Sequence, residues 1–325
     1  LIMLSRKKTC LIFTLLAVIS IILYMFYWLF GLEQITVGQL NRGLTRRGTR
    51  VVAMILVSVI MAITSLKFQT MTQNRILTPS MIGFDSTFVL TQTLIVFIFG
   101  GFSQLIANPY YNFLLSAILM VLVSFVLYGL VLKKGKNNLA LLLLVGLVFR
   151  TLMSSVTSFL SKIIDPDDFN IVVSQTMPSL NNMNTDILWF LGLPISLIVV
   201  VLMLFDLKYY DVMNLGEDQA KSLGVSYNRV TNRGLVYIAI LISVSTALVG
   251  TLTFLGLITV NLARERLKTD FHKPLLILSS VFGLIFLVLG QFLIQTFRLN
   301  TNLSVFINLV GGLYMIYLLL KEKTL

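Results

Sequence analysis

With 325 residues, 57% of them hydrophobic and 12% charged, the chain has far fewer charges than the roughly 25% of a soluble domain and cannot clothe a soluble surface. A mean hydropathy of +0.92 and recurring apolar runs of about 20 residues, the length that crosses a bilayer, read as one all-α polytopic membrane domain over 1–325, with no stretch polar enough for a separate soluble unit. A net charge of +12 would suggest nucleic acid in a soluble protein, but here Lys and Arg gathering in cytoplasmic loops explain most of it.

The chain opens on Arg6-Lys7-Lys8 and an apolar run over 10–32. The run is longer than the apolar core of a secretory leader and no Ala-x-Ala-like site follows it, so it reads as a retained span. Further spans are expected near 51–68, 86–101, 112–132, 139–162, 186–206, 233–250, 252–263, 274–297 and 303–320, about ten in all. The eighth is too short to cross alone and is expected either to extend into Arg264-Glu265-Arg266 or to begin before Gly250. With the N-terminus inside, eighteen of the 25 Lys and Arg fall on the cytosolic side. Both termini are therefore predicted cytoplasmic, in a multi-pass protein of the cell membrane.

Four arginines break that rule. Arg42, Arg46, Arg47 and Arg50 lie between the first two runs and count to the outside. The planar guanidinium fork binds carboxylates bidentately, which suits docking an acidic partner; a belt on lipid headgroups is the alternative.

Between the second and third runs, Pro79 and Gly83 bar a continuous helix across Gln73–Ser86. The segment reads as a bent entry to the third span, beside a cavity that tolerates irregular backbone. Arg150 lies well inside the fifth run. A charge at that depth costs at least about 2.5 kcal/mol and faces a cavity or partner. It is a candidate for attracting an anionic solute, or else a structural partner of Asp85 or of a backbone carbonyl. Lys162–Phe169 counts to the outside and reads as a solvated loop, or as a rim whose acidic triplet pairs with Arg298 or with a docked protein. Asp206–Val225 is the longest polar stretch facing the cytosol. Asn214 is expected to cap a short helix there, with Asp218 near its first turn and Gly224 ending it. Such a helix suits docking a soluble subunit, or is an ordinary loop helix.

Cys10 is the single cysteine and His272 the single histidine, so neither a disulfide framework nor a Cys/His metal site is expected. No Gly-x-x-x-x-Gly-Lys-Ser/Thr loop occurs, and ATP hydrolysis by this chain is not expected.

Arg47-Gly-Thr-Arg50 before an apolar span resembles the Arg-x-Pro-Arg signature of the FecCD-like iron-siderophore and cobalamin permeases of ATP-driven importers. Gln73-Asn-Arg-Ile-Leu-Thr-Pro-Ser-Met-Ile-Gly83 resembles their Asn-Pro-Leu-Ala-x-Pro-x-x-x-Gly stretch, with Asn74, Pro79 and Gly83 matching. Ala220-Lys-Ser-Leu-Gly-Val225 resembles their Ala-x-x-Leu-Gly-Val coupling helix. Gly250–Ile258 is similar to their Gly-x-Ile-x-Phe-Val-Gly-Leu segment, and Gly311–Leu320 to their closing Gly-x-Pro-x-Phe-x-x-Leu-Leu. The pattern covers nearly the whole chain in order. It departs at Gly48-Thr49, where Pro is missing, at Val260-Asn261 in place of Pro-His, at Thr301-Asn302 in place of Leu-Pro, and at Leu313 in place of Pro. The nearest resemblance is to permeases for ferric catecholate siderophores of the petrobactin type in Gram-positive bacteria.

The resemblance implies a permease that moves an iron–siderophore complex into the cytoplasm. It implies a second permease subunit, expected to be a related but different chain, a cytoplasmic ATPase dimer that binds the ATP, and an extracellular lipid-anchored substrate-binding protein. It places Arg46, Arg47 and Arg50 at binding-protein docking, Arg150 on the substrate pathway, and Glu217, Ala220, Leu223, Gly224 and Val225 at the coupling to the ATPase. No catalytic residue, metal or resident cofactor is expected in this chain. The rival is a secondary transporter of a small polar or anionic solute. It needs intramembrane carboxylates, and Asp85 is the one near a span interior.

Overall fold

Each of the ten predicted runs holds a helix in the computed structural model, which describes residues 6–27, 37–134, 139–177, 179–180, 183–297 and 301–322. In chain order the helices are α1 (Arg6–Phe26), α2 (Val37–Thr72), α3 (Phe84–Phe99), α4 (Gln104–Ala107), α5 (Pro109–Lys134), α6 (Leu139–Ser161), α7 (Pro166–Thr176) and α8 (Thr185–Ile187). They continue with α9 (Leu193–Phe205), α10 (Leu207–Met213), α11 (Glu217–Ser222), α12 (Tyr227–Val249), α13 (Leu255–Leu267), α14 (His272–Thr296) and α15 (Leu303–Glu322). One π-turn over Leu188–Gly192 joins α8 to α9 as a single apolar crossing. Among the described residues, seven helices are long and apolar enough to cross a membrane unaided; α3 and α15 carry shorter apolar stretches. The ends of the bundle are called inner and outer below, after the Lys/Arg count.

The bundle is built around α2. Its most apolar window is 78% buried, whereas that of α6 is 11% buried, so α2 is the axle and α6 shows its face to lipid or to another subunit. Apolar burial does little to drive helices together inside lipid, and close packing has to replace it. Small residues supply that closeness. Gly256 of α13 lies against Ser65 and the Met61 carbonyl of α2, and Gly283 of α14 lies against Ser58. Buried hydroxyls in the apolar zone, such as Thr64 and Ser279, return their protons to carbonyls one turn back, which removes the cost of bare donors in hydrocarbon.

Two crossings are interrupted. After α2 the chain makes the bent entry that Pro79 and Gly83 anticipate: a 3₁₀ turn over Pro79–Ile82, ended by Gly83 at φ +112°. Asn261 of α13 donates to the Arg75 carbonyl and pins the start of this segment. The eighth run extends into Arg264-Glu265-Arg266 as α13 and begins after Gly250, not before it. Its first turn meets α2 at Met61 and Ser65, in the inner half of that helix and short of its end at Thr72. The non-helical 250–254 stretch and the head of α3 therefore meet within the bundle, where Thr253 Oγ1 donates to Asp85 Oδ2 at 2.6 Å.

Candidate functional site

At the outer end the arginine cluster is helical, not a loop between runs. It occupies the first turns of α2, whose 36 residues span about 54 Å at 1.5 Å each, well beyond the hydrocarbon thickness of about 30 Å. The structure divides the cluster. Arg42 and Arg46 are exposed and Arg50 partly so, and the i, i+4, i+8 spacing puts the three along one stripe. Arg47 turns inward. Its Nη1 donates to the Tyr24 carbonyl, its Nη2 donates to Gln295 Oε1 at 3.2 Å, and its guanidinium lies 4.9 Å from the Tyr24 ring centre. It ties α2 to α1 and α14, a role its place in the motif does not disclose. The acidic triplet is also structured: Asp165 caps α7 by accepting from the Asp167 amide. Arg298, its expected partner, lies outside the described residues.

Midway along the bundle, Arg150 of α6 packs its Cβ over Gly83, where a glycine Cβ would stand 3.4 Å away. One turn on, Ser154 Oγ donates to Ser86 Oγ at 3.3 Å. Arg150 thus sits beside the interrupted head of α3. Among the described residues no ion pair joins it to Asp85. Asp85 takes its hydrogen bond from Thr253, while its buried Oδ1 has no partner.

At the inner end α10 and α11 form a platform. Asn214 does not cap α11, because it closes α10; Gly216 at φ +105° is the N-cap. The extended turn at Gly216 separates the two short helices, so an Asn two residues earlier cannot reach the first α11 amides. The far end behaves as expected. Val225 N donates to the Ala220 carbonyl and Gly224 N to the Lys221 carbonyl, both at 3.0 Å, the paired bonds of a Schellman end. Gly224 at φ +83° supplies the left-handed residue that this end requires. Ala220 seats the helix on the bundle and Leu223 projects at 64% exposure. Glu217 and Lys221 pair along the exposed side of α11 at 2.6 Å, a contact that contributes little stability.

The platform is held by polar contacts, buried and half-buried, between helices distant in sequence. Lys67 of α2 donates to the Met203 carbonyl at 2.6 Å and lies 4.2 Å from the Tyr210 ring centre. Arg233 of α12 pairs with Asp206 at 2.6 Å. The His272 amide and Nδ1 meet Asp211 Oδ1 at 2.8 and 2.6 Å, and its Nε2 lies 2.7 Å from Thr70 Oγ1. Burial works against the charge on Asp211, but the ring and amide of His272 bring its pKa below the usual carboxylate value. One signal was available in advance. Lys67 falls inside the run predicted over 51–68, the same anomaly that singles out Arg150. His272 has no partner recognisable from spacing, because Asp211 is 61 residues away.

A family model described as the FecCD transport family matches residues 9–321. The chain is 46% identical over 309 residues to the petrobactin import system permease protein YclO of Bacillus subtilis (strain 168), covering 95% of each. It is 35% identical over 282 residues to the petrobactin import system permease protein FatC of Bacillus anthracis, covering 86% of this chain and 79% of that one. Its fold matches a solved inward-facing conformation of a metal-chelate type ABC transporter with a TM-score of 0.80 at 22% identity, over 98% of this chain and 100% of the other.

Proposed function

Because the chain belongs to the FecCD transport family, we propose that it is the permease subunit through which an ATP-driven importer carries an iron–siderophore chelate into the cytoplasm. Members of this family are transport components, and the ATPase is a separate subunit. The observation that carries the reading for this chain is the inner platform: a short helix with a glycine-terminated end, an exposed leucine at its tip, and a polar mounting on α2, α12 and α14. A displacement of α11 by closing ATPases is thereby delivered to the helices that form the bundle's centre. Ligands that bind two states unequally supply the bias.

In this reading two permeases enclose the path and α6 of each faces it. Arg150 is then the cation that an anionic ferric chelate meets at mid-depth. Arg46 and Arg50 offer outward charge to an acidic binding protein, speeding encounter and fixing register more than adding affinity; Arg47 contributes by holding α2 in place. A single intramembrane carboxylate, Asp85, committed to Thr253, gives the secondary-transport alternative little to work with.

Radio-iron uptake by a deletion strain offered a panel of purified siderophores tests the assignment. Restoration of uptake of one chelate by this chain together with its ATPase supports it. Uptake that persists without the ATPase refutes it. Co-purification of the tagged chain decides whether the second permease is identical or different.

A further inference from the structure

A cavity of about 730 Å³ opens at the outer end among α3, α5, α7, α8 and α12. Its volume is that of a small-molecule site. Neither Arg150 nor the arginine stripe contributes a residue to its wall.

The formal charges at it are of one sign. Among the described residues lining it, Asp186 is the single formally charged group, and it is an exposed one. A second carboxylate, Asp168, lies against Gly101 in the wall, where an added Cβ would stand 2.6 Å from its Oδ1. Three helices end at the cavity, and two, α5 at Pro109 and α8 at Thr185, begin there. The last turns of α12 and α7 line it, and so do Gly101 and Phe102 just beyond α3. Helix C-termini present carbonyls and a partial negative charge.

Two buried acceptors point the same way. The Gln92 amide NH₂ donates to Asn112 Oδ1 at 2.6 Å and to Ser116 Oγ at 2.8 Å, which leaves Oε1 as the free acceptor. That atom has no partner in a side chain 2% exposed, and Thr246 Oγ1 has none in a side chain 1% exposed. Such groups are costly when left unsatisfied. Phe88 and Phe113 add aromatic wall, and aromatic faces attract cations.

We propose that this outer cavity is a binding site for an organic cation, a primary or secondary alkylammonium group. The ammonium protons are taken by Gln92 Oε1 and Thr246 Oγ1, and the Asp186 and Asp168 carboxylates guard the mouth. An anionic ferric centre is disfavoured here by the two carboxylates. The site therefore takes either a free amine or an ammonium-bearing arm of a chelate.

The test uses the assembled permease–ATPase complex in nanodiscs and reads binding without transport, so it stands or falls independently of the import reading. Radiolabelled 1,5-diaminopentane is competed with pentane-1,5-diol, with glutarate, with ferrioxamine B and with N-acetyl ferrioxamine B. Diamine binding that resists the diol and glutarate is expected. Competition by ferrioxamine B but not by its acetylated form identifies a chelate arm as the ligand. Competition by neither chelate identifies a free amine. Asp186→Asn and Thr246→Val are each expected to weaken diamine binding about tenfold, the scale of one hydrogen bond to a charge. Should Thr246→Val fail to assemble, the exposed Asp186 keeps the test open. Displacement of the diamine by diol or glutarate, no diamine binding at all, or undiminished binding by Asp186→Asn overturns the proposal.

Discussion

Replacing Leu223 by Ala separates a docking tip from an ordinary loop helix. Leu223 is 64% exposed at the end of α11, so the isolated permease gains little from its side chain. Burying a leucine side chain completely stabilises by about 1.5–3 kcal/mol. With roughly two thirds of that burial still to be made, docking against the ATPase stands to gain about 1–2 kcal/mol, or ~5–30-fold in affinity. The permease's own thermal stability should change by no more than about 0.5 kcal/mol, as for other exposed substitutions. The assay is the equilibrium binding of purified ATPase to the nanodisc-embedded permease pair, with uptake measured in cells. Unchanged ATPase affinity with unchanged uptake would refute docking through this tip. A loss of thermal stability matching the loss of affinity would refute the claim that the leucine is spare in the free chain.

Charge reversal at Arg46 and Arg50 together should weaken stimulation of ATPase activity by loaded binding protein, in a salt-sensitive way; equal stimulation removes the docking role. Arg47→Ala should in addition lower thermal stability by about 1–3 kcal/mol, because it strips donors from the Tyr24 carbonyl and Gln295, and a stability equal to that of the parent chain would contradict its inward role. Arg150→Leu should leave assembly intact and slow uptake of an anionic chelate, whereas normal uptake or failed assembly rejects the pathway role. Gly256→Ala would push a Cβ onto Ser65 and to 2.9 Å from the Met61 carbonyl, costing about 1–3 kcal/mol by overpacking. Gly312→Ala, with nothing within 4 Å, is the silent control, and equal melting of the two variants would refute the close α13–α2 contact.

Much of this protein is legible along the chain because a bilayer imposes one-dimensional rules. Apolar length marks the crossings, Lys and Arg mark a side, and Pro79 with Gly83 marks the break before α3. The turn that ends α11 is legible for the same local reason, since Gly224 and its Schellman bonds involve only neighbours. What escapes are contacts between residues far apart in sequence. The pairing of His272 with Asp211, the seat of Lys67 on Met203 and Tyr210, and the inward turn of Arg47 depend on which helix stands beside which.

Local spacing misleads where backbone geometry intervenes. Asn214 has the right chemistry for a cap, but the turn at Gly216 separates it from α11. Composition and periodicity, which add up along the chain, settle that this is a bundle of crossings and roughly where each begins. Whether a given charge serves as an outward hook or an inward strut is settled by packing. In a medium that cannot solvate it, a polar group takes whichever partner the neighbouring helix presents, and no local pattern encodes that neighbour.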